Sequence, residues 1–84
     1  MVTEWYVYVL DKGRYKGKPR VKVGSSSNYK KRISSQGGKK LLLQLYGPYP
    51  DNMAAEMMEF RIAGIWQSKG YNVQVGNKIP MRPR

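Results

Sequence analysis

One short run constrains this chain more than any other. Residues 3–10 read Thr-Glu-Trp-Tyr-Val-Tyr-Val-Leu, β-branched and aromatic almost throughout, which is strand composition. On an extended backbone Tyr6, Tyr8 and Leu10 share one face while Trp5, Val7 and Val9 share the other. A strand at a sheet margin alternates apolar with polar. One that is apolar or amphipathic on both faces needs cover on both, so this segment is expected in the middle of a sheet. With 84 residues in all there is room for one domain, spanning 1–84, that buries roughly 60–65% of its unfolded surface.

The remaining segments are arranged around that strand. Asp11 to Pro19 reads as a loop, broken by Gly13, Gly17 and Pro19 and charged by Lys12, Arg14, Lys16 and Lys18. Val21-Lys22-Val23 forms a short second strand ending at Gly24, paired with the first as a hairpin. Ser25, Ser26, Ser27 and Asn28 supply capping side chains for a basic helix to about Gln36, with Tyr29 and Ile33 on its buried face. Gly37 and Gly38 stop it. Leu41 to Tyr46 is a third strand, closed by Gly47, Pro48 and Pro50. Asp51 or Asn52 caps a second helix to about Gln67, which docks on the sheet through Ala54, Met58, Ile62, Ile65 and Trp66. Met53, Met57 and Met58 are expected as core filler. Gly70 ends the helix, Tyr71 to Val75 is extended, and 77–84 is a basic tail. The expected fold is α+β: a small three-stranded antiparallel sheet flanked by helices, in the order β-hairpin, helix, strand, helix.

The chain has no cysteine and no histidine. That excludes a disulfide framework, a zinc finger, a thiol nucleophile, a Ser-His-Asp triad and any His-ligated metal. A bound metal must be hard and oxygen-ligated, drawing on five acidic residues or on backbone. Sixteen Lys and Arg leave a formal charge of +11. Self-repulsion on that scale weakens a small fold, and a polyanionic partner is the simplest reason to carry it. Nothing approaches the roughly 20 apolar residues that span a bilayer, and no signal-peptide pattern opens the chain, so no membrane and an intracellular setting are expected.

Taken in order, these segments carry a family resemblance. Tyr6-Val7-Tyr8 stands where the GIY-YIG nuclease domain has Gly-Ile-Tyr, and Lys22-Val23-Gly24 where it has Tyr-Ile-Gly. Ser25 to Asn28 followed by Lys31-Arg32 is similar to its small-polar turn and arginine. Glu59, framed by Ala55, Met58 and Ile62, stands at its metal-binding glutamate, and Gly70-Tyr71-Asn72 at its closing Gly-Tyr-Asn. The chain departs from the pattern in three places. Tyr6 fills a glycine position, Lys22 replaces the second tyrosine as in some restriction-enzyme members, and Gln36 stands where many members have histidine.

The resemblance implies a metal-dependent DNA endonuclease, of a kind often carried by phages or mobile elements. Tyr8, Lys22, Arg32 and Asn72 would be catalytic, and Glu59, or alternatively Glu56, would hold Mg²⁺ or Mn²⁺. In such a reaction Tyr8 is the candidate base for water, although a phenol ordinarily titrates at about 10. Lys22 is the cation that favours its phenolate, and Arg32 has the planar fork for phosphate oxygens. Lys12, Arg14, Lys16, Lys18, Arg20, Lys30, Lys31, Lys39 and Lys40 are the basic residues available to DNA. No element reads bases, so specificity would come from a second copy or a separate partner. Two other readings of the same sequence remain: a non-catalytic nucleic-acid-binding module on this scaffold, and a small basic RNA- or ribosome-associated protein.

Overall fold

The computed structural model describes residues 3–76, so the basic tail at 77–84 lies outside the described residues. Four strands form one sheet: β1 (Trp5–Tyr15), β2 (Lys18–Ser26), β3 (Leu42–Tyr49) and β4 (Asn72–Val75), in spatial order β3-β1-β2-β4. Two helices, α1 (Tyr29–Ser35) and α2 (Asn52–Ser68), and a one-turn 3-10 helix at Lys39–Leu41 are the other elements among the described residues. The α+β class and the interior place of the first strand agree with the sequence. The strand count does not. β4 joins as a fourth strand, parallel to β2, with Val21 opposite Val73 and Val23 opposite Val75. Asn-Val-Gln-Val has the two-residue alternation of a half-buried strand, but four residues do not reveal their partner.

The expected loop at 11–19 is instead the outer half of a long hairpin. Antiparallel pairing of β1 and β2 continues to Tyr15 and Lys18, through an irregularity between Asp11 and Arg14. Asp11 Oδ1 accepts from the Gly13 amide at 2.8 Å there. At the tip Lys16 and Gly17 both have positive φ, 52° and 78°. That backbone twist matches the twist of the flanking strands and closes a two-residue hairpin. Basic residues and glycines, which read as loop, are therefore ribbon. β3 likewise runs through Gly47 and Pro48 to Tyr49 rather than stopping at them, because it is the outermost strand, where a proline breaks no ladder.

Each face of the sheet has its own cluster. On one, α2 covers Val7, Val9, Val21, Val23, Val73 and Val75 with Ala55, Ile62, Ala63 and Trp66. On the other, α1 brings Ile33 onto Tyr8 and Leu10, with Tyr29, Leu41, Leu42 and Leu45 around them. Asn28 caps α1 and Asp51 caps α2, its Oδ1 accepting from the Ala54 amide at 2.8 Å. The rotation of α2 differs from expectation. Its buried face runs Ala55, Glu59, Ile62, Ala63, Trp66 and Gln67, while Ile65, Met53 and Met57 are exposed, the methionines 71% and 68% so. The true buried stripe holds two polar and two small residues, so apolar periodicity pointed elsewhere. Of the three methionines expected in the core, only Met58 packs against it.

Candidate active site

Strand register brings the first pair of site residues together. Tyr8 lies opposite Gly24 and Leu10 opposite Lys22, so Tyr8 and Lys22 are diagonal neighbours on the face that carries α1. The Tyr8 ring lies directly across Gly24. A Cβ at position 24 would sit 2.5 Å from the phenolic oxygen and 2.6 Å from Cζ. Only glycine leaves room for the ring, which is 3% exposed.

The second half of the site comes from the other face, through the end of the sheet. β4 stops at Val75, and Gly76, with φ of 56°, donates its amide to the Val23 carbonyl at 2.8 Å. Past that point, through Gly24 to Ser26, β2 is paired with β1 alone. A cavity of about 310 Å³ occupies this end. Tyr8, Lys22, Arg32 and Gln36 line it from the α1 side, and Asn52, Glu56 and Glu59 from the first two turns of α2. Tyr8, Lys22, Arg32 and Glu59, distant in sequence, therefore share one cavity.

Its electrostatics are mixed in sign. The Lys22 ammonium is pulled below its ordinary value of 10.5, first by burial and then by the positive charges of Lys12 and Arg32. Two cations, Lys22 and Arg32, thus share one wall, with the charge of Lys12 felt from outside it. Glu59, 8% exposed, and Glu56, fully one turn earlier, face them across the cavity. Among the described residues no cluster of three or more acidic side chains exists. One or two carboxylates from a single helix fit a hard ion that fills its remaining positions with water and phosphate oxygens, as magnesium does.

Gln36 enters the site unannounced by composition. Its Nε2 donates to the Tyr8 hydroxyl at 3.1 Å, and its Oε1 is buried with no partner among the described residues. It caps the C-terminus of α1, four residues after Arg32, so helical spacing was the signal that joined them. Ser25, Asn52 and Trp5 also line the cavity; the sequence offered the first two as turn or cap residues and none of them as a site residue.

Asn72 does not join them. It stands opposite Arg20, away from the cavity, and its Nδ2 donates to the Tyr15 carbonyl at 3.0 Å. Its place is in the hairpin's support, because β4 enters the sheet at the outer end of β2. Arg32 is exposed and lines the cavity. Several basic residues of the hairpin already have partners: Lys12 donates to the Gln36 carbonyl at 3.3 Å, and Arg14 to the Gly17 carbonyl at the tip. Tyr6 stacks on Tyr29, with ring centroids 4.8 Å apart. No helix among the described residues is long and apolar enough to cross a membrane.

The family model of the T5orf172 domain matches residues 5–73, from the start of β1 into β4. No curated protein and no solved structure matches the chain.

Proposed function

The chain belongs to the T5orf172 domain family, which is related to GIY-YIG and HNH-like nucleases, and from that premise we propose that it is a metal-dependent DNA endonuclease. The observation that supports this most is the meeting of Tyr8, Lys22, Arg32 and Glu59 on one cavity. Hydrolysis of a phosphodiester adds water at phosphorus and expels the 3′ oxygen, which leaves as an alcohol after taking a proton. Negative charge grows on the phosphate oxygens and the leaving oxygen meanwhile. The exposed Arg32 guanidinium grips two non-bridging oxygens at the cavity mouth. Lys22 adds a second positive charge beside its diagonal neighbour Tyr8.

Tyr8 takes the proton from the attacking water. The hydrogen bond from the Gln36 side-chain amide to its oxygen holds the ring where it lines the cavity. Glu59, with Glu56 as the alternative, would hold Mg²⁺ or Mn²⁺, which when bound supplies charge stabilisation at the phosphate and leaving oxygen. Asn72 has no part in this chemistry.

The test is nicking of supercoiled plasmid with Mg²⁺ and with EDTA, beside Glu59→Ala and Glu56→Ala. Cleavage should need the metal and fall about 10²–10³-fold in Glu59→Ala, the usual scale for losing one such group. Loss only in Glu56→Ala would move the ligand one turn. Absence of cleavage with any divalent metal, alongside salt-sensitive binding, would leave a non-catalytic binding module.

A further inference from the structure

The two faces of the sheet are not covered alike. α2 lies over β1, β2 and β4 on one face, whereas on the other the α1 cluster covers Tyr8 and Leu10 of β1 and reaches toward β3. The β2–β4 half of that second face carries no apolar cluster among the described residues: Asn72 is buried, Arg20, Lys22 and Gln74 are half-buried, and Lys18 is exposed. Its side chains follow from alternation. Val21 and Val23 point into the α2 core, so Lys18, Arg20 and Lys22 point the opposite way, as do Asn72 and Gln74 beside them. Tyr15, paired with Lys18, lies on the same side, and the Arg20 guanidinium sits 5.6 Å from its ring centroid.

We infer that this polar half-face is the track along which one strand of duplex DNA runs into the cavity, with Lys18 and Arg20 holding successive phosphates ahead of Lys22. The inference rests on the endonuclease reading and adds to it the path of the substrate.

Three features carry it. First, Lys18, Arg20 and Lys22 are alternate residues of one strand, which stand about 6.6–6.8 Å apart. Second, it is continuous with the site, because Lys22 is both the last member of the row and a wall of the cavity. Third, its chemistry suits a phosphate backbone rather than a protein surface. Lysine is depleted in the cores of protein interfaces, and apart from Tyr15 this face presents only charge and amides. The row is also held in place: Arg20 Nη2 donates to Gln74 Oε1 at 3.0 Å, and Asn72 ties the base of β4 to the Tyr15 carbonyl. By contrast Lys30 and Lys39 line a different cavity, between α1 and β3.

Binding of a short DNA duplex of arbitrary sequence, followed by fluorescence anisotropy in EDTA, separates binding from cleavage. The slope of log Kd against log salt should fall by about 0.9 for Lys18→Gln and again for Arg20→Gln, one counterion per lost phosphate contact. Arg61→Gln removes the same charge from the exposed side of α2 and should leave the slope unchanged. Lys18 is exposed, so its variant keeps the test decisive if Arg20→Gln weakens the fold. Lys18 and Arg20 variants that shift the slope no more than Arg61→Gln would overturn the track while leaving the endonuclease reading intact. Tighter binding to single-stranded RNA than to duplex DNA would overturn the duplex assignment. No DNA binding by the wild-type protein would end both.

Discussion

Gly24 shows how much of this site a single residue can decide. It is glycine because the Tyr8 ring passes over it, with no room for a methyl group. Gly24→Ala must push a buried ring aside, at about 1–3 kcal/mol of stability. Displacing the proposed base by even an ångström should cut nicking roughly 10²-fold, and thermal unfolding beside the plasmid assay measures both. Lys22 works in the opposite sense. Its titration is lowered in the fold, so below that folded value the repulsion from Lys12 and Arg32 and the burial penalty are fully present. From there up to 10.5 the unfolded chain binds more protons, and stability rises with pH. Lys22→Met should therefore raise Tm by the most near pH 7 and by less toward pH 10, while lowering turnover and moving the nicking optimum upward. An equal Tm change at both pH values would remove the electrostatic account. A lysine on a short strand was legible as a candidate; the charges that press on it belong to a residue of the neighbouring strand and a helix residue, and only folding brings them within reach.

At the scale of elements, strand identity was easier to read than strand extent. The first strand's two apolar faces required an interior position, which it has between β2 and β3. The hairpin beyond Leu10 was not legible, because charge and glycine are as compatible with a two-stranded ribbon as with a loop. What decides is the positive-φ pair at the tip together with the register of the partner strand. Asn72 belongs at this scale also. Its buried amide bond to the Tyr15 carbonyl ties β4 to the hairpin, so Asn72→Ala should cost about 1–2 kcal/mol by denaturant unfolding. Nicking by the folded fraction should be unchanged; a variant that unfolds normally but cuts poorly would return Asn72 to the site. The face of α2 was misread for a related reason. A helix with Met53, Met57, Phe60 and Ile65 on its outside and Glu59 and Gln67 on its inside does not announce its orientation through hydropathy.

Over the whole molecule the dominant physical fact is charge. The molecule measures 45 × 24 × 18 Å, and the full chain, its basic tail included, carries a formal +11. At an ionic strength of about 0.01 M the screening length, roughly 30 Å, exceeds two of those dimensions, and at 0.15 M it is about 8 Å. Adding salt across that range should therefore raise Tm while weakening DNA binding; a Tm that falls would mean that attractive pairs outweigh the excess. The sequence by itself determined the α+β class, the interior strand, both helices with their caps, the basic excess and the residue types from which a phosphodiesterase site can be built. These rest on backbone preference, periodicity and composition, which are local or additive. The structure alone decided that β4 lies parallel to β2 and ends one residue before Gly76, that Glu59 points inward rather than to solvent, and that Gln36 rather than Asn72 stands beside Tyr8. Each of these depends on how separate segments dock, and docking is set by the shape and register of surfaces that no single segment contains.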